Sequence, residues 1–228
     1  MNNLQKLGGW GGLIHALAYV VSMAVGATLM FPLLSSGPGA YVAFVTGHQA
    51  LVYLWNLVAY WVSAITLVVM VLALHERLES AAPGGARVAA AFGLIWAALI
   101  IGSGNLMLRD VGVIAKLYAH DPAQAAATWT VLEAVENGIV SGNEVVGSLW
   151  VLLVSLTAWR TGALGRALNI AGMVISLAGL LTVIPTLYDT MIMIFGPGMI
   201  VWSVWVGIAL LRTRGQALRL AVAPGGAA

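Results

Sequence analysis

Three glutamates and two asparagines gather in the stretch Trp129-Thr-Val-Leu-Glu133-Ala-Val-Glu136-Asn137-Gly-Ile-Val-Ser-Gly-Asn143-Glu144, in otherwise apolar sequence. At about 100° per residue, Glu133, Asn137 and Glu144 project within about 40° of one another on a helix, and Glu136 and Asn143 flank them on one side. Such a face can exchange protons or accept hydrogen bonds from a ligand, as general acids, general bases or orienting groups do. A second stripe, Gln49, Tyr53, Asn56, Tyr60 and Ser63, projects within about 40° of one direction on another helix, and His48 opens that segment.

The elements that must position these side chains are set by composition. The chain has 228 residues, of which 61% are hydrophobic and 8% charged, against roughly a quarter charged in soluble domains. Lipid is therefore the solvent for most of it. A bilayer core of about 30 Å needs about 20 apolar residues per helix, and six stretches satisfy this: 10–34, 49–74, 88–108, 139–159 with an outer extension over 124–138, 167–187 and 191–211. The expected fold is all-α, a single polytopic six-helix transmembrane bundle spanning 1–228.

Orientation follows from the cations. Lys6, Arg77, Arg87, Arg160, Arg166, Arg212, Arg214 and Arg219 fall on one side of those spans, and Arg109 and Lys116 on the other. By the excess of cations on the cytoplasmic side, both termini are expected in the cytoplasm, in a cell (inner) membrane. The first span is too long for a signal h-region of about 7 to 15 residues, so it is read as an uncleaved anchor rather than a peptide cut after Ala40. Segment 35–40 is small and turn-prone, 79–86 is expected as a turn and 221–228 as a short tail. With no cysteine, disulfides, thiolate metal sites and cysteine nucleophiles are excluded. No run of like charge suits nucleic acid, so membrane lipids, a membrane-protein partner or a second copy are the macromolecular partners expected.

Counting back from Trp159 puts the outer membrane boundary near Val140, so Glu144 is expected as the buried acid, with Arg109 its one candidate ion partner. Glu133 and Glu136 fall at or above that boundary, where they also fit a plainer role of solvating a helical extension. Glu144 has a plain reading too, a carboxyl satisfied by Asn143, Ser141 or a neighbouring helix. The outer ends of the other spans add Asn105, Arg109, Tyr188 and Asp189 at the same depth. The expected site is an outward-facing pocket for a small or amphiphilic ligand, formed by His48, Gln49, Tyr53, Asn56, Asn105, Arg109, Glu133, Glu136, Asn137, Glu144, Tyr188 and Asp189 and floored by the apolar inner halves of spans four to six. Pro185 and Pro197 are expected to break or kink spans five and six, and Gly138 with Gly142 to let span four approach a neighbour closely.

Three mechanisms branch from such a pocket. Glu144 exchanges a proton in step with ligand in a transporter or sensor; Glu144 or Glu136 acts as general acid or base in an intramembrane enzyme; or the stripes meet partner helices in an accessory subunit. Apolar inner halves disfavour transport, and the absence of GxGxxG, P-loop, HExxH, GxSxG and CxxC motifs disfavours the common catalytic classes. His15 and His75 on facing helices offer a haem alternative, and His48 with Glu133, Glu136, Glu144 or Asp189 a metal alternative without a standard spacing.

The segment Gly142-Asn-Glu-Val-Val-Gly-Ser-Leu-Trp150, with Thr157-Ala-Trp-Arg160, Gly162 and Gly165-Arg-Ala-Leu-Asn-Ile-Ala-Gly172 after it, resembles the uncharacterised bacterial membrane family catalogued as domain of unknown function 4386. Val71-Leu-Ala-Leu-His-Glu-Arg77 extends the resemblance over most of the chain. It implies a multi-pass membrane protein and no settled activity.

Overall fold

The computed structural model describes residues 3–140 and 143–222, with side chains described through residue 212 apart from residue 140, and all of its regular structure is helical. We number the helices α1 (Asn3–Ser35), α2 (Pro38–Gly47), α3 (Gln49–Glu79), α4 (Pro83–Tyr118), α5 (Pro122–Val140), α6 (Asn143–Thr161), α7 (Arg166–Leu181) and α8 (Tyr188–Val222). Five stretches are long and apolar enough to cross a membrane: α1, α3, α4, the α5–α6 stretch and α8, the last two over Pro122–Thr161 and Pro185–Arg212. The protein is therefore a multi-pass membrane protein. Its apolar outer surface, with Leu17, Leu54, Ile65, Leu177 and Val201 each more than half exposed, suits hydrocarbon and not water.

Helices α1, α3, α4, α6, α7 and α8 form a closed ring, each packed on the next in chain order, with α8 returning to α1. Glycine lets the closing pair meet: a Cβ on Gly12 falls 2.8 Å from the Ser203 carbonyl and 3.1 Å from Gly207 Cα. The centre is filled by Trp96, Trp150 and Trp202 from α4, α6 and α8, with ring centroids 5.7 Å and 5.4 Å apart. Each indole lies over a glycine of a neighbouring helix, Gly147 under Trp96, Gly93 under Trp150 and Gly172 under Trp202. The close approach expected at Gly138 is not made there, since a Cβ on it meets nothing within 4 Å; Gly142 lies outside the described residues.

The described elements depart from the sequence reading in specific ways. Segment 35–48, which the sequence reading leaves between two spans, contains α2, launched by Gly37 at φ 97° and by Pro38 in the first helical turn, where its missing N–H costs nothing. Its Tyr41, Val42 and Val45 turn inward. Helix α4 runs 36 residues, about 54 Å, so it overshoots a 30 Å core and carries its last turns beyond the ring. Asp121 then accepts the Ala123 and Gln124 amides at 2.9 and 3.0 Å, a cap that starts α5 back over the ring. Together α2, α5 and the ends of α1, α3 and α4 enclose a second apolar core around Met30, Val52, Val111, Ile114 and Trp129.

Span five is shorter than 167–187. Helix α7 stops at Leu181, where Thr182 Oγ1 donates to the Gly179 carbonyl at 2.7 Å; Pro185 holds Ile184 extended and opens a single 3-10 turn. Pro197, by contrast, is carried inside α8 without ending it. In α1, Pro32 cannot donate to the Thr28 carbonyl, and the preceding turn widens over Gly26–Met30 so that the Phe31 amide reaches Gly26 five residues back. The inner halves of the ring are also less apolar than expected, since Ser155, Asn169, Ser176 and Ser203 are buried there.

Candidate functional site

A cavity of about 300 Å³ opens beside the second core, which supplies Met30, Tyr41, Val45, Val111, Ile114 and Trp129 to its walls. It sits at the end of the ring marked by α2 and the 119–121 turn, the end that carries few cations. Helix α3 sends Asn56, Tyr60 and Trp55 into it, α4 sends Asp110 and Met107, and α5 sends Trp129, Glu133, Glu136 and Asn137; α2 covers it with Tyr41, and α8 closes one side with Tyr188.

Local structure fixes several of these groups. Asn56 donates its Nδ2 to the Val52 carbonyl at 3.0 Å, which leaves its Oδ1 buried without a protein partner. The Trp55 indole is pinned by a 3.3 Å bond to the Ser22 carbonyl of α1. Tyr41 stacks on Trp129 with centroids 4.4 Å apart and planes at 28°. Its phenol lies in the field of Glu136 and Glu133, and burial, with those two charges behind it, pushes the phenol's pKa up.

The carboxyls of Asp110 and Glu136 lie within hydrogen-bonding reach of each other, each residue being 5% exposed, and no other residue donates to the buried Oδ2 of Asp110 or Oε1 of Glu136. An ionised carboxylate only accepts, so a hydrogen bond here requires at least one proton between them. Among the described residues no lysine or arginine forms an ion pair with Asp110, Glu133, Glu136 or Glu144.

Of the residues expected from sequence, the cavity brings together Asn56, Glu133, Glu136, Asn137 and Tyr188. The others lie elsewhere. His48 stacks on Phe44 at 4.3 Å and binds the Phe44 carbonyl through Nδ1; Gln49 donates to the Thr46 carbonyl at 3.3 Å. Tyr53 packs its hydroxyl over Gly112 of α4, and Asn105, Arg109 and Asp189 are exposed. Glu144 does not line the cavity. It is half-buried with Oε2 unpartnered, lower in the ring, within electrostatic range of Tyr19 and Tyr60. Its neighbour Asn143 accepts the Trp96 indole N–H. Tyr60, in range of Glu136 as well, stands between the cavity and this lower group.

Sequence reasoning missed Tyr41, Trp55 and Trp129 and gave Asp110 no role. Periodicity finds polar stripes within one helix, and these four escape it: Tyr41 comes from the cover helix α2, Asp110 from the overshooting end of α4, and Trp55 and Trp129 are aromatic residues that do not stand out among apolar neighbours on α3 and α5. The fully buried His15 has Nδ1 2.9 Å from the Ser63 carbonyl, whereas His75 pairs with Glu79 about 18 Å further along α3, so the two cannot flank one haem. His48 does not approach the cavity carboxyls, and no group of three or more His, Asp and Glu suited to a metal ion occurs among the described residues.

The chain belongs to the family described as Domain of unknown function (DUF4386), whose pattern it matches over residues 7–213. No curated protein and no solved structure matches it.

Proposed function

We propose that this protein crosses the cell (inner) membrane six times with both termini cytoplasmic, and that the cavity at its extracytoplasmic end binds a small or amphiphilic ligand. Helix α7, 16 residues or about 24 Å, serves as the sixth crossing with the 182–187 turn completing its depth. The cation distribution, eight on one side and two on the other, supports the orientation.

The observation that carries the binding reading is the set of acceptors left over at the cavity: Asn56 Oδ1 is buried and meets no protein donor, and Asp110 Oδ2 and Glu136 Oε1 are buried with no donor beyond each other's carboxyl. A buried acceptor without a partner costs about 1–3 kcal/mol, which a bound ligand or ordered water offsets. A volume of about 300 Å³ is at the lower end for small-molecule sites. The site proposed is therefore Asn56, Glu133, Glu136, Asn137 and Tyr188 together with Tyr41, Tyr60, Asp110 and Trp129, and Glu144 is a separate polar point below it.

Native mass spectrometry of the full chain released from its membrane tests this. A bound adduct is expected on the wild type and is expected to vanish from Val45→Trp, which fills the cavity from its cover. A bare wild type, or an adduct that persists in the filled variant, overturns the binding reading.

A further inference from the structure

The chemistry of the walls narrows the ligand, provided that the cavity is a ligand site as proposed above. Three carboxyl residues, Asp110, Glu133 and Glu136, line one small space. The protein supplies them no counter-charge: among the described residues no lysine or arginine pairs with them, and Arg109, next to Asp110 in the chain, is exposed. A hydrogen bond between two carboxyls holds at least one proton, so the Asp110–Glu136 pair carries at most one negative charge, beside the carboxyl of Glu133. An acceptor independent of the carboxyls, Asn56 Oδ1, faces the same space, its residue 2% exposed. Donors on these walls include the Trp129 indole N–H, buried without a partner, and the phenol O–H groups of Tyr41 and Tyr60.

Much of the remaining wall is aromatic. Tyr41, Trp55, Tyr60 and Trp129 surround the acids, with Met30 and Met107 between them. Ring faces carry negative quadrupole charge and attract cations within about 6 Å, most strongly where water is excluded. A bare metal ion is poorly served here, since it needs several convergent oxygens and among the described residues no three of these acids come together closely enough to hold one. An anion is repelled by the carboxyls.

We propose that the cavity binds a small organic cation, a protonated or quaternary amine with an apolar body, its charge held by Asp110 and Glu136 and its body against Tyr41, Trp55, Tyr60 and Trp129.

The test compares two molecules of one shape. Benzyltrimethylammonium and its uncharged carbon isostere neopentylbenzene are titrated by equilibrium dialysis against the full chain in phospholipid nanodiscs, with empty nanodiscs as the blank. The cation is expected to bind at least about tenfold more tightly than the isostere, and Glu136→Gln or Asp110→Asn to remove that preference, while Glu79→Gln, at the far end of α3, retains it. The wild-type comparison needs no variant, so a variant that fails to fold does not blunt the test. An isostere that binds as tightly as the cation overturns the charge assignment and leaves the cavity reading intact. Cation binding that survives in both carboxyl variants overturns it by placing the site elsewhere. If neither molecule binds, the organic-cation assignment is overturned, and the adduct lost or kept in Val45→Trp decides the cavity reading separately.

Discussion

Asp110 of α4 and Glu136 of α5 share a hydrogen bond between their carboxyl groups at the edge of the cavity. They meet because α4 overshoots the ring and the short 119–121 turn sends α5 back along it. The contact ties α5 to α4 across the cavity wall, and its chemistry makes it sensitive to which partner remains.

Asp110→Ala strands the Glu136 carboxyl in a buried place, whereas Asp110→Asn keeps an N–H donor for it. Removing the partner of a buried polar group costs about 1–3 kcal/mol. Denaturant titration of the full chain in detergent is expected to show that loss for Asp110→Ala and less than half of it for Asp110→Asn. Equal destabilisation by the two variants rules out the hydrogen bond as the tie.

Tyr41 is the anchor of α2, stacked on Trp129 at 4.4 Å. Such a pair contributes about 0.5–1.5 kcal/mol beyond its burial. Tyr41→Ala is expected to speed amide exchange across residues 38–47 and leave residues 63–79 protected, because the central tryptophan core does not depend on α2. Exchange that rises equally in both segments contradicts a separately held cover.

Gly147 lies where a Cβ falls 2.5 Å from the Trp96 ring, and that ring is confined by Trp150 at 5.7 Å and by its bond to Asn143. Overpacking of this kind costs about 1–3 kcal/mol. Gly147→Ala is expected to lower the unfolding midpoint by that amount, and Gly138→Ala, in open space, to leave it unchanged or raise it slightly.

The lack of native cysteine makes the topology directly measurable. His120 and Ser80 are both exposed, at opposite ends of α4. A membrane-impermeant maleimide applied to intact cells is expected to label His120→Cys and to leave Ser80→Cys unlabelled until the cells are opened. The reverse pattern inverts the orientation.

The sequence alone determined the solvent and the class of element. Apolar stretches of about 20 residues with so few charges have one stable form in lipid, the helix, because every backbone group must be bonded within its own segment. It also exposed the acids of α5 and the amide of Asn56, since polar side chains stand out against such a background. Helix ends were less legible: nothing in composition tells an apolar cover helix such as α2 from a loop, or halts α4 at the membrane boundary rather than ten residues beyond Leu108.

What the tertiary structure decided is which stripes meet. Glu133, Glu136 and Glu144 share a helical face on paper, yet Glu133 and Glu136 line the cavity and Glu144 falls below it with Tyr19, because the meeting depends on how α5 and α6 each pack and not on angular phase. Asp110 became part of the site only because α5 folds back against the end of α4. Helical periodicity is a property of one segment, while a cavity belongs to the gaps among several, and those gaps are set by where glycines let helices close and tryptophans hold them apart.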